Sequence, residues 1–247
     1  VRFIYRHTDL LLVQSKAFEK PVRALEAHTP IKYYPQSVDS AFVNCTSNDV
    51  PNLPEIGEGF SLMFAGNIGT AQAVDVIIQA AILLKKYSDI HFVILGDGSR
   101  RKWMLSEVER LGLSNIHLPG RFPIEMMPSF MRKASALLVT LANQSIFALT
   151  IPSRLQVYLA AGRPIIACMN GEGARLVIEA KAGFSTPAED PQALANTILR
   201  LYEKSDSEHE QMGKNGRKYY SENFEHNQLV EQLIKYFKSV NQDKENK

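Results

Sequence analysis

Short apolar runs alternate with segments whose apolar residues recur at helical spacing, and this alternation constrains the fold more than any other feature of the chain. Phe60 to Ala65, Ile90 to Leu95, Asn115 to Leu118, Ser135 to Leu141 and Pro164 to Cys168 are strand-like. Between them, Val74, Ile77, Ile78, Ala81 and Ile82 mark one helix. A second starts near Ser99, a candidate cap, and stops at Gly112; a third runs from Ile124 to Lys133, and a fourth from Pro152 to Ala161, ended by Gly162. Strands that are apolar on both faces and separated by amphipathic helices predict an α/β fold, with a parallel sheet covered by helices on both faces.

The flanks differ in character. Asp9 to Ser15 reads as a short strand, Lys16 to Ala27 as a helix and Ile31 to Tyr34 as a second strand. Thr46 to Gly59 holds two prolines, two glycines and few apolar residues, and reads as a linker. The C-terminus is helical. Asp190-Pro191 opens one helix to about Glu203, another spans about Glu208 to Ser221, and a last one carries Val230, Leu233, Ile234 and Phe237 on one face. The expected division is therefore 1–40, a linker at 41–59, and a main domain over 60–247.

Composition excludes several classes. With 247 residues, 45% apolar and 22% charged, the chain can bury a substantial core and is not a disordered polymer. A net charge of +2 is too small for a nucleic-acid footprint. No run of about 18 apolar residues, the length that could span a bilayer, occurs in the chain. Cys45 and Cys168 are expected to be unpaired thiols in a reducing cytoplasm. The chain does not begin with Met and is expected to be part of a longer protein.

In such sheets ligands lie beyond the carboxyl ends of the strands, so the loops following Ala65, Leu95, Leu118, Leu141 and Cys168 are where chemistry is sought. Gly66-Asn67-Ile68-Gly69-Thr70 joins strand to helix; it either brings backbone amides to an anion or is a tight turn with Thr70 as cap. Gly96-Asp97-Gly98 suggests a dinucleotide loop. However, Arg101 stands where a third glycine is required, and no acidic residue follows at the ribose-binding distance. No Gly-Lys-Ser/Thr phosphate loop and no Gly-x-Ser-x-Gly elbow occur. Thr150-Ile151-Pro152-Ser153-Arg154 opens a helix with small polar groups and a guanidinium able to clamp a phosphate; a capped surface helix with a solvated Arg is the alternative. His7, His28, His91, His117, His209 and His226 show no metal-ligand spacing, and His91 and His117 read as strand residues near the surface.

Three stretches together resemble the C-terminal half of the GT-B glycosyltransferases of family 4, or group 1. They are Phe64 to Gly69 with Ala71 to Asp75, Val93 to Gly98, and Ile151 to Ala167, the last being similar to the family's Pro-Ser-Lys helix and Ala-Ala-Gly-Lys-Pro turn. The likeness extends from about Asp9 to Phe237, and the closest subgroup is the bacterial fucosamine-transferase type used in surface polysaccharide and lipopolysaccharide assembly. The resemblance implies a Rossmann-like donor-binding domain at 60–247. Residues 1–40 would be the tail of an acceptor domain.

It also implies a UDP-sugar donor, transfer with retention, and no metal or other cofactor. The acceptor would be a glycan or lipid-linked glycan, handled in the cytoplasm or at the inner face of the plasma membrane, where the full protein would associate peripherally. Nucleic acid is not an expected partner. By position, Gly66, Asn67 and Gly69 would face the diphosphate, and Gln72, Gly96, Asp97 and Gly98 would be further donor-binding residues. Arg121 and Phe122 would lie against uracil, and Thr150, Ser153 and Arg154 at the phosphates or donor sugar. Where many members have Arg and Lys in the first loop, this chain has Asn67 and Gln72. The places of two family glutamates, the second a ribose ligand, are Leu149 and Val157. Ribose recognition then falls to another group, with Gln156 the candidate, or is weaker. No catalytic residue is assigned within this chain, which alone should bind and not turn over. A UDP-sugar epimerase or hydrolase of the same fold, or a non-catalytic nucleotide-sugar-binding module, are the alternatives.

Overall fold

The computed structural model describes residues 1–26, 28–38 and 59–245. The expected linker, apart from Gly59, and Cys45 lie outside the described residues. At the N-terminus a short helix α1 (Arg2–Arg6) precedes β1 (Leu11–Val13), α2 (Glu19–Leu25) and β2 (Ile31–Tyr33). β1 and β2 pair in parallel as a separate two-stranded sheet. The Ser15 hydroxyl accepts the Ala17 amide at 3.2 Å and so caps the turn that leaves β1.

The main unit begins with β3 (Phe60–Asn67) and continues through α3 (Asp75–Leu84), β4 (Ile90–Asp97), α4 (Arg101–Leu111), β5 (Ile116–Gly120), α5 (Met127–Lys133), β6 (Ala136–Thr140), α6 (Ser145–Ala148), α7 (Ser153–Ala161) and β7 (Ile165–Cys168). It closes with α8 (Glu172–Glu179), β8 (Gly183–Thr186), α9 (Pro191–Tyr202), α10 (Asp206–Asn223) and α11 (His226–Glu245). The six strands form one sheet in the order β5-β4-β3-β6-β7-β8, every neighbouring pair parallel. The order reverses between β3 and β6, which creates a crevice at their carboxyl ends.

Strand periodicity divides the core cleanly. Leu62, Phe64, Leu138 and Ile166 face one side, where α3 and α9 cover them. Met63, Val139, Ile165 and Ala167 face the other, against side chains of α5, α7 and α8 together with Tyr220 and Phe224 at the end of α10. An α/β sheet with helices on both faces and a helical C-terminus is therefore what the chain adopts.

Local signals were obeyed where they were self-contained. Gly112 and Gly162 adopt the left-handed conformation that ends α4 and α7. Asp190 accepts the Ala193 amide at 2.8 Å with Pro191 behind it, as the sequence predicts. Three expectations need correction, and one pair of elements was not foreseen. Thr70 does not cap a helix: the loop makes a single 3₁₀ turn over Thr70–Gln72, Ala73 takes a left-handed φ of 46°, and α3 starts only at Asp75. Ser99 does not cap α4, which is preceded by Arg100, held through its amide by the Ile68 carbonyl at 2.9 Å. The segment from Ile124 is a 3₁₀ turn before α5 begins at Met127. Finally, β8 and α8 complete the sheet edge although they lack the strong apolar runs of the inner strands.

The N-terminal unit touches the main unit through Val38, buried in the core on the α7 side of the sheet, and through polar contacts. Ser15 Oγ donates to Glu172 at 3.4 Å, and Tyr236 Oη donates to the Tyr33 carbonyl at 3.3 Å. The outer surface of α11 is apolar and exposed at Val230, Ile234 and Phe237. Among the described residues no helix is long and apolar enough to cross a membrane.

Candidate functional site

The crevice at the switch point holds a cavity of about 1010 Å³. Its walls come from the ends of β3 (Ala65, Gly66, Asn67) and β4 (Leu95, Gly96, Asp97), from the loop after β5 (Arg121, Phe122, Pro123, Ile124), and from α5 (Met127, Met131) and α7 (Ser153, Arg154, Val157, Tyr158). Elements distant in sequence converge here because β3 and β6 are adjacent in the sheet yet send their following helices to opposite faces.

Two side chains of α7 make the crevice. β3 pairs with β6 only at Leu62↔Ala136 and Met63↔Leu137. Beyond that point the edge of β3 turns to Tyr158, whose hydroxyl accepts the Ala65 amide at 2.9 Å and donates to the Ala65 carbonyl at 3.3 Å. A phenol thus takes the place of a strand, and the strands can part without leaving buried backbone groups unpaired. Burial pushes the Tyr158 pKa up, with Arg154 pulling against it.

One turn earlier, Arg154 lies over Gly66, with Nη2 within 3.3 Å of where a Cβ would stand there. Its guanidinium stacks on Phe64, 4.7 Å from the ring centroid. Gly66 has φ of +135° and no side chain to obstruct that approach. Arg154 Nη1 is buried without a hydrogen-bond partner. Burial draws the Arg154 pKa below the usual arginine value, although the guanidinium remains charged at neutral pH. A desolvated cation with an unsatisfied N–H, at the start of a helix and beside the end of a parallel strand, is chemically a seat for an anion. Ser153 and Arg154 occupy the first turn of α7, where backbone amides have no helical acceptor.

The glycine loops behave differently from α7. The Ile68 amide is held by the Asp97 carbonyl at 2.8 Å. The Gly69 amide donates to Gln72 Oε1 at 3.2 Å, and Asn67 Nδ2 donates to the same oxygen at 3.1 Å. The Gly98 amide donates to Asp97 Oδ1 at 2.8 Å. Gly66, Asn67, Gly96 and Asp97 line the cavity, whereas Gly69, Gln72 and Gly98 do not: their polar groups close the loops on themselves. Gly96 and Gly98 are required sterically, since a Cβ at either would collide with the carbonyl oxygen of Gly66 or Ile68.

Arg121 and Phe122 line the opposite end, Phe122 tilted against Phe130 with ring centroids 4.9 Å apart. Thr150 does not reach the cavity; its hydroxyl donates to the Ile146 carbonyl at 2.8 Å. Gln156 is 1% exposed, and its amide nitrogen, correctly oriented, donates to the Ser153 and Pro152 carbonyls at 2.9 and 3.0 Å. It braces the first turn of α7 from behind. Sequence reasoning passed over Tyr158, Met127 and Met131, and noted Val157 only as the place of a missing glutamate. Helical spacing was the available signal, because positions three and four after Arg154 share its face, as do Met127 and Met131.

His117 and His91 are cross-strand neighbours, half-buried, with Nε2 and Nδ1 3.3 Å apart. Among the described residues no group of three or more metal-ligating side chains occurs.

The profile of a family described as "Glycosyl transferases group 1" matches residues 59–204. A curated relative from Pseudomonas aeruginosa, "Probable glycosyltransferase WbjE", is 30% identical over 158 residues, which is 62% of this chain and 38% of the relative. An uncharacterised glycosyltransferase of Methanocaldococcus jannaschii is 28% identical over 157 residues, 64% of this chain and 42% of that one. The chain thus spans about two fifths of the length of these relatives. Among solved structures, Anabaena HepE in complex with UDP superposes with a TM-score of 0.80 at 18% identity, covering 97% of this chain and 66% of that one. The pneumococcal O-GlcNAc transferase GtfA in complex with UDP and GlcNAc superposes with a TM-score of 0.76 at 19% identity, covering 97% and 46%. The profile match takes in the whole of the crevice, from β3 to the end of α9, and the chain belongs to the group 1 glycosyl transferases.

Proposed function

We propose that this chain is the nucleotide-sugar-binding half of a retaining glycosyltransferase. It would take a UDP-sugar and deliver the sugar to a glycan or lipid-linked acceptor in cell-surface polysaccharide assembly. The observation that carries the reading is Arg154, a charged guanidinium with a buried, unpaired Nη1, lying over Gly66 at the switch point of a parallel sheet. Anabaena HepE and pneumococcal GtfA each adopt this fold in complex with UDP, which supports the choice of nucleotide.

In this reading the diphosphate rests against Gly66 and the first-turn amides of Ser153 and Arg154. The guanidinium offsets the charge that develops on the departing UDP. Because the donors are fixed and partly desolvated before the reaction, they need not reorganise as charge appears. No metal is called for, since arginine and helix-end amides supply the positive potential. The base lies toward Arg121 and Phe122. The acceptor is held by a domain preceding Val1.

Among the described residues the lining has a single carboxylate, Asp97, and no histidine, so an acceptor-free epimerase or hydrolase gains no support from it. Calorimetry with UDP tests the proposal. The folded chain should bind UDP, and Arg154→Ala should weaken binding about tenfold to a hundredfold, the ~1.5–3 kcal/mol worth of hydrogen bonds to a charged group. A folded chain that gives no heat with UDP at millimolar concentration would overturn it.

A further inference from the structure

Two glutamines treat backbone amides in opposite ways. Gln72 turns its oxygen toward the first glycine loop and takes the Gly69 amide, so that loop closes on itself. Gln156, on α7, is fully buried and turns its nitrogen toward the chain, donating to the Ser153 carbonyl at 2.9 Å and the Pro152 carbonyl at 3.0 Å. Helical side chains lean back over the turn that precedes them, which is how Gln156 reaches carbonyls three and four residues earlier. The Pro152 carbonyl also accepts the Leu155 amide at 2.9 Å, and its second lone pair serves Gln156. The helix has no side-chain cap, because the capping place is held by Pro152. A serine or aspartate there would take a first-turn amide for itself. In α7 the first turn is braced at its carbonyls instead, and the amides are left open. A peptide unit is planar and trans, so its C=O and N–H point in opposite directions. The unit that carries the Pro152 carbonyl also carries the Ser153 amide, and the unit that carries the Ser153 carbonyl also carries the Arg154 amide.

We propose that Gln156 is the positioning residue of the anion seat. By holding two carbonyls from the buried side of α7, it fixes the planes of the two peptides whose amides, those of Ser153 and Arg154, meet the diphosphate. It does so without touching the nucleotide. Two other side chains fix α7 as a body against β3: Tyr158 through the backbone of Ala65, and Arg154 through the ring of Phe64. Gln156 fixes individual peptides within the helix. Donors aimed in advance need not reorganise when charge arrives, and that is the gain the brace supplies. The inference rests on the donor-site reading and adds to it a residue that does not line the cavity.

The test compares the chain with Gln156→Met, which fills the same buried space and removes both donated hydrogen bonds. The Pro152 carbonyl keeps the Leu155 amide, so the denaturant midpoint should stay close to the parent's. Affinity for UDP, measured by calorimetry, should fall by about threefold to tenfold, the worth of a neutral hydrogen bond. Amide proton spectra read the same event locally. UDP should shift the Ser153 and Arg154 amide protons downfield in the parent, and shift them less at saturation in the variant. A folded variant that binds UDP as tightly as the parent would overturn the proposal. So would weaker binding with undiminished shifts at these two amides, because the loss would then arise elsewhere. The parent alone supplies a second reading. Both side-chain amide protons of Gln156 should exchange slowly with solvent, and fast exchange would overturn the proposal even if Gln156→Met does not fold. Absence of UDP binding by the parent contradicts the donor-site reading itself and is thereby distinguished from failure of the brace.

Discussion

The Tyr158 hydroxyl and the backbone of Ala65 form a closed pair, 2.9 Å from the Ala65 amide and 3.3 Å from its carbonyl, at the point where β3 leaves β6. Tyr158→Phe keeps the ring in the core and strands both backbone groups. The expected loss is about 1–3 kcal/mol, the desolvation cost of unsatisfied buried groups. Denaturant unfolding should show a lower midpoint at an unchanged slope. An unaltered midpoint would mean that the hydroxyl does not support β3.

Arg154 should contribute to binding and not to folding. Its charge is desolvated and one of its nitrogens has no partner, so the isolated chain gains little from it. Arg154→Met keeps the apolar stem over Phe64 and removes the buried charge. In the absence of nucleotide this variant should unfold at the same or a higher denaturant concentration than the parent, while a given UDP concentration raises its Tm less than the parent's. A variant that is clearly less stable without ligand would show that the guanidinium is structural.

The start of α10 should be acid-sensitive. Glu208 is held by Lys204 and by the amide and hydroxyl of Ser205, which together depress its pKa from 4.5 to about 2. A carboxyl whose folded pKa lies below its unfolded value stabilises the fold above the unfolded pKa, and that contribution is lost as pH falls through the folded one. Protection of the Ser205–His209 amides, taken relative to their intrinsic exchange rate at each pH, should therefore fall between pH 4.5 and about 2. Glu208→Gln should remove most of that dependence.

Cys168 should be inert in the native chain. It is fully buried at the end of β7, its Sγ lies 3.3 Å from the Pro187 carbonyl, and burial pushes its pKa up to about 11. Thiolate, the reactive form, is then scarce at neutral pH. Peptide mapping after brief iodoacetamide treatment at pH 8 should find Cys168 unmodified in the native chain and alkylated in denaturant. Native alkylation would place the residue in a region that opens readily.

Much of this protein was decided one segment at a time. The strands from Phe60 to Cys168, the stops at Gly112 and Gly162 and the cap at Asp190 depend on residues within a turn or two of each other, so the sequence alone determined them and, through their alternation, the class of fold. The helix start bearing Ser153 and Arg154 was legible for the same reason. The pairing order of the strands and the identity of the groups left free to meet a ligand belong to the tertiary structure. The Gly66–Gly69 loop looked like an anion cradle, but Gln72 takes the Gly69 amide. Gln156 looked like a ribose ligand, but α7 turns it inward. Tyr158, unremarked in the sequence, stands in for a strand. A hydrogen-bonding group in a sequence has many possible partners, and only packing that brings distant segments together decides which one it finds and which groups are left without one.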